Sequence, residues 1–171
     1  MALEVTSRLS IDATATEKNQ PVAIGGVAST LVHAFRTGPD AYPSGTADGS
    51  QDLVWSSSST VAQGAPVSLD LAGGLTSVLD GSAISFAEVT FVALRNKSTT
   101  AAEVIEVFGN ANGVAIIEDP TNVVVVPAGG WFVWAAPLAG VAITGGASDV
   151  LQLGAQSGTV SYDLLIMGRS A

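Results

Sequence analysis

The sequence predicts an all-β protein, an antiparallel β-sandwich of jelly-roll type with at most one short helical turn. Three observations predict it. Charged residues make up only 12% of the 171 residues, and Gly, Ala, Val, Ser and Thr dominate; small and β-branched side chains suit pleated strands and tight turns. Short apolar or alternating runs recur with turn signals about every 8–12 residues, the spacing of a sandwich or barrel. No apolar period of about 3.6 residues is sustained anywhere, so no amphipathic helix is written into the chain. The strands suffice for two four-stranded sheets, which favours a jelly roll over other Greek-key sandwiches.

The N-terminus alternates, with Leu3, Val5, Leu9 and Ile11 on one face and Glu4, Thr6, Arg8 and Ser10 on the other. A period of two marks a half-buried strand. Residues 14–21, TATEKNQP, read as a polar connection. The expected organisation is therefore an N-terminal strand or arm over 1–21 and one sandwich domain over 22–171. Residues 22–35 are apolar and broken at Gly25-Gly26, either one strand or a bent strand pair. Residues 37–51, TGPDAYPSGTADGSQ, form a turn-rich loop of a length that often carries contacts. A short strand follows at 52–55, and SSSST at 56–60 suits either that strand or a turn. Residues 66–71 alternate as a strand. Leu75, Val78 and Leu79 within 73–81 fit a single helical turn better.

The second half predicts strand after strand, at 85–96, 104–108, 114–117, 123–126, 131–135, 141–144, 150–153 and 160–167. Gly109 to Gly113, Pro127-Ala128-Gly129-Gly130, Gly145-Gly146 and Gly154 punctuate them as hairpin turns.

One run stands apart: residues 123–148 carry no charged side chain. The length would cross a bilayer. Pro127, Gly129, Gly130, Pro137, Gly140, Gly145 and Gly146 break any helix, and no Lys or Arg flanks the run. It predicts two buried strands joined by a hairpin at Pro127-Ala128-Gly129-Gly130, and no membrane span. Val123–Val126 is apolar on both faces, which predicts cover on both. Trp131 and Trp134 cannot share one face of a regular strand. One is expected to face the core, the other a second sheet, a loop or another subunit.

The net charge is −9, from 15 acidic and 6 basic residues. The scattered Arg8, Lys18, Arg36, Arg95, Lys97 and Arg169 form no basic stripe, so nucleic acid is not an expected partner. The absence of cysteine excludes disulfides and thiolate metal sites. Glu4 and Arg8 stand where a secretion signal would need an apolar run. The single histidine, His33, lies in an apolar segment and reads as structural. No G-x-S-x-G elbow or phosphate-cradling loop is present. Glu118-Asp119 before Pro120 reads as solvated turn charge. Asp48, Gly49 and Asp52 faintly resemble a calcium loop but lack its oxygens. Asn96-Lys97-Ser98 matches a glycosylation sequon, a short pattern common by chance. The sequence thus predicts no enzyme: no catalytic residues, no metal and no cofactor.

Several segments carry a resemblance. DLVW (52–55), SLDLAGGLTSVL (68–79), SFAEVTFVALRNKSTT (85–100), VVVVPAGGWFVWAAP (123–137), ITGGASDVLQL (143–153) and VSYDLLIMG (160–168) occur in that order. From about residue 30 onward, the chain resembles a family of small β-sandwich structural proteins, of decoration or cement type, from tailed bacteriophages and prophages. The Pro127–Gly130 turn is one residue longer than the family's tighter form. The resemblance implies a virion protein present in many copies, and no catalytic residues.

The expected function is a capsid decoration protein on the outer surface of the virion head. It would form a homotrimer and stabilise contacts between major capsid subunits. Residues 2–13 are either an arm that adds to a neighbour's sheet edge or an ordinary first strand. Candidate interface residues are Trp131, Trp134, Tyr42, Leu3 and Val5. The alternative is a tail- or fibre-associated β-protein that binds host-surface glycan through exposed aromatics such as Tyr42, Trp55 or Trp131. A cell-envelope hydrolase is disfavoured, because no carboxylate or His constellation supports it.

Overall fold

A computed structural model of the chain describes residues 8–9, 12–18, 30–36, 40–41, 45–77, 81–108, 112–116, 122–136 and 138–171. The chain divides into two compact units, Thr6–Tyr42 and Pro43–Ala171. The N-terminal unit holds β1 (Arg8–Leu9) paired antiparallel with β4 (Asp40–Ala41), and β2 (Asp12–Lys18) paired antiparallel with β3 (Thr30–Arg36). Residues 14–18, expected as a connection, are thus strand. Thr14 and Thr16 are good strand formers whose pairing to β3 leaves no apolar signature in the sequence. β3 pairs with β2 within this unit.

The second unit contains β5 (Leu53–Ala62), β6 (Val67–Asp70), β7 (Leu75–Thr76), β8 (Ala83–Ile84), β9 (Glu88–Asn96) and β10 (Ile105–Phe108). It continues with β11 (Val123–Val126), β12 (Trp131–Ala135), β13 (Val141–Ala142), β14 (Val150–Ala155) and β15 (Thr159–Arg169). Sheet I runs β12-β9-β15-β5, with β13 also on β9; sheet II runs β11-β10-β14-β6. Take β5, β6, β9, β10, β11, β12, β14 and β15 in chain order. The first, eighth, third and sixth form sheet I, and the second, seventh, fourth and fifth form sheet II. That interleaving is the jelly roll.

The core lies between the two sheets. β15 alternates inward Val160, Tyr162, Leu164 and Ile166 with outward Thr159, Ser161, Asp163 and Leu165. Val92 and Leu94 of β9, Ile105 and Val107 of β10, and Leu151 and Leu153 of β14 meet them from both sides. Each fully buried aliphatic side chain contributes about 1.5–3 kcal/mol.

Four expectations are corrected. The helical turn over 73–81 is replaced, in its described part, by β7, which pairs with β8. Leu75 is buried as a strand residue and Ser77 N donates to Ser82 O at 2.8 Å. Residues 114–116 are no strand: Gly113 makes a single bridge to Val150, and Ile116 N bonds Val114 O in a tight turn. Gly154 is no turn but lies inside β14, where the Phe108 ring leaves no room for a Cβ (2.6 Å to Cε1). The reversal comes later, at Gly158, with φ +64.

The fourth correction concerns the uncharged run. β11 and β12 do not form a hairpin: β11 pairs β10 in sheet II, and β12 pairs β9 in sheet I. The turn between them crosses from one sheet to the other, closed by Gly130 N to Pro127 O at 2.9 Å with Gly129 at φ +71. Turn residues signal that the chain reverses, not which strand it pairs with next. Asn96 bridges this crossing, donating from Nδ2 to Val126 O at 3.0 Å and to Glu103 O at 2.9 Å. Its side chain is buried and committed, which leaves the sequon without an accessible acceptor.

Candidate functional site

β11 and β12 are both edge strands, one per sheet, on the same side of the sandwich. Cover on both faces was expected for Val123–Val126, but only Val126 is buried; Val123 and Val125 are 48% and 52% exposed. The reason is the two-layer architecture: each strand of a sandwich turns one face to the core, and Val123 and Val125 lie on the outward face of sheet II. On β12, Phe132 and Trp134 are half-buried against the core, while Trp131 and Val133 point outward, at 62% and 43% exposure. Among the described residues, the exposed large apolar side chains are Val123, Val125, Trp131, Val133 and Leu138. All five come from the uncharged run. Exposed edges normally carry Lys, Pro or a bulge against pairing with other chains, and these two strands carry none. The opposite side of the sandwich ends in β5, whose exposed residues are serines and Thr60.

The outward face of sheet I holds a second feature. Register places Ser58 of β5 opposite Asp163 of β15, Asp163 opposite Arg95 of β9, and Arg95 opposite Trp131 of β12. The row reads hydroxyl, carboxylate, guanidinium, indole. Ser58 Oγ donates to Asp163 Oδ1 at 2.5 Å, and Lys97 Nζ donates to the same oxygen at 3.1 Å. The Arg95 guanidinium lies over the Trp131 ring, 5.3 Å from its centroid. The Ser58 hydroxyl, and then Lys97, hold the Asp163 carboxyl below its ordinary value of 3.8. The adjacent row, Ser56, Leu165, Ala93 and Val133, dips at the small Ala93. Ser58, Asp163 and Trp131 of the first row and Ser56, Leu165 and Ala93 of the second line an open groove of about 660 Å³.

A third cluster is structural. Arg169 is buried at the end of β15, with Nη2 donating to Glu88 Oε2 and lying 3.5 Å from Asp48 Oδ1. Its Nη1 donates to Ala47 O at 3.1 Å and Leu138 O at 3.2 Å. One cation thereby ties the 45–50 loop and the loop after β12 to the last strand.

Of the interface candidates, Trp131 stands on the outer face of β12 and Trp134 on its inner face. Tyr42, Leu3 and Val5 lie outside the described residues, as do Glu118, Asp119 and Pro120. Trp55, expected among exposed aromatics, is a core residue whose Nε1 donates to Thr76 O at 3.2 Å. His33 lies in β3 opposite Ala15. Among the described residues, no three His, Cys, Asp or Glu side chains cluster to hold a metal, and no helix is long and apolar enough to cross a membrane. Sequence reasoning missed Asp163, Ser58 and Arg95. They are far apart in the chain and become one row only through strand register.

Among the described residues, fold and surface define a cysteine-free jelly-roll unit with one apolar edge whose two strands carry no charged side chain. The chain matches no protein-family model, no curated protein and no solved structure.

Proposed function

We propose that this chain is a non-catalytic structural protein of a phage virion. It decorates the outer surface of the capsid, forms homotrimers and stabilises contacts between major capsid subunits. One observation carries the reading: every exposed large apolar side chain among the described residues comes from the uncharged run that builds both edges on one side of the sandwich. Two neighbouring edges without charges favour in-plane strand addition and apolar contact by another polypeptide. The N-terminal unit, compact in its own right, offers strands for such addition to a neighbouring copy. Repeated over a lattice, modest contacts sum to a strong clamp.

The test is cosedimentation of the purified chain with phage heads lacking it. The wild type is expected to bind heads and raise their thermal stability. A Val123→Lys/Val125→Lys variant is expected to do neither. Binding to tails alone, or undiminished head binding by the variant, overturns the proposal.

A further inference from the structure

We infer that the outer face of sheet I carries a binding groove for neutral saccharides, with Trp131 as the stacking platform and Asp163 with Ser58 as the hydroxyl-recognising pair. A pyranose presents an apolar face of C–H groups and a rim of hydroxyls. It needs an exposed aromatic plane beside fixed hydrogen-bonding groups. The row from Ser58 to Trp131 supplies both on one surface. Four strands at about 4.8 Å spacing make the row roughly 14 Å long, the length of a disaccharide or trisaccharide.

The parts are held in place before any ligand arrives. Arg95 lies against the Trp131 indole, yet 62% of that residue remains exposed. Asp163 is fixed by Ser58 and Lys97 on a single oxygen, Oδ1. A carboxylate has about four acceptor positions, so it retains capacity for sugar hydroxyls. Ser56 extends the hydroxyl lining, and Ala93 with Leu165 leaves room over the groove floor.

Other ligand classes fit less well. A peptide adding as a strand needs free backbone, but β9 and β15 beneath the groove are paired on both sides. Nucleic acid would set phosphates against Asp163 on a chain of net charge −9. A small apolar ligand needs an enclosed cavity, and this groove is open. An acidic sugar would bring its own carboxylate to Asp163. Trp131 and Val133 belong to the exposed apolar set that carries the capsid reading, but the polar half of the groove, Ser58 and Asp163, lies outside that set, and the edge variant at Val123 and Val125 changes β11 on the other sheet. The two readings are therefore tested by separate substitutions.

The experiment is a screen of the full chain on an array of neutral and sialylated oligosaccharides, followed by calorimetric titration with the best neutral binder. Neutral pyranosides are expected to bind. Trp131→Ala and Asp163→Asn are each expected to weaken binding tenfold or more while the chain stays folded at the assay temperature, and Ser58→Ala severalfold. The Val123→Lys/Val125→Lys variant is expected to bind sugar like the wild type. No binding on the array, binding confined to sialylated members, or wild-type affinity in the folded Trp131 and Ser58 variants overturns the inference.

Discussion

Asn96, on sheet I, donates a hydrogen bond from Nδ2 to the carbonyl of Val126, on sheet II, at 3.0 Å. The same amide reaches Glu103 O, and its Oδ1 accepts from Ser98 N at 2.9 Å. One side chain thus closes two places where the chain passes between the sheets. Asn96→Ala strands two carbonyls and one amide, and is expected to cost about 2–4 kcal/mol. Urea unfolding checks it: the midpoint falls while the denaturant slope stays constant.

Two glycines separate a soft clash from a hard one. At Gly154 an added Cβ meets the Phe108 ring, a side chain; at Gly168, beside the bulge of β15, it meets the backbone carbonyl of Glu88. Gly154→Ala is expected to cost about 1–3 kcal/mol and to be partly rescued by Phe108→Leu. Gly168→Ala is expected to cost more, with no side-chain substitution able to rescue it. A double-mutant cycle of thermal unfolding measures both.

Arg169 ties two loops to β15 through Glu88, Ala47 and Leu138. Arg169→Met removes the donor for two carbonyls and leaves Glu88 without its partner, an expected loss of about 3 kcal/mol. Hydrogen exchange provides the sharper test: protection should fall in residues 45–50 and 138–140 before it falls in β9.

The edge variant Val123→Lys/Val125→Lys replaces exposed side chains, so monomer stability is expected to hold within about 0.5 kcal/mol. Sedimentation velocity should show trimers for the wild type and monomers for the variant. Trimers persisting at equal strength would remove this edge from the interface.

Asp163 has a depressed carboxyl pKa in the fold, caused first by the Ser58 hydroxyl and then by Lys97. The sign follows: its favourable contribution is fully present above the unfolded value near 3.8 and is lost as pH falls through the lower folded value. A carboxyl NMR titration is expected to show a midpoint below 3.8, moving upward in Ser58→Ala.

By itself the sequence determined the class of fold, because that information is local. The alternation of residues 160–167 and the turn spacing required strands without helices, and Trp131 and Trp134 were bound to opposite faces by the pleat. The residues misread, such as Leu75 in β7 and Gly154 in β14, sit where a short motif fits two local structures and a distant partner decides between them. Only the tertiary structure decided pairing. It sent β11 and β12 to different sheets, left Val123 and Val125 without cover, and set Ser58, Asp163, Arg95 and Trp131 in one row. Register joins residues far apart in the chain through backbone hydrogen bonds that carry no side-chain label. The uncharged run showed that apolar surface would be made here; the fold determined that it would be made at an edge.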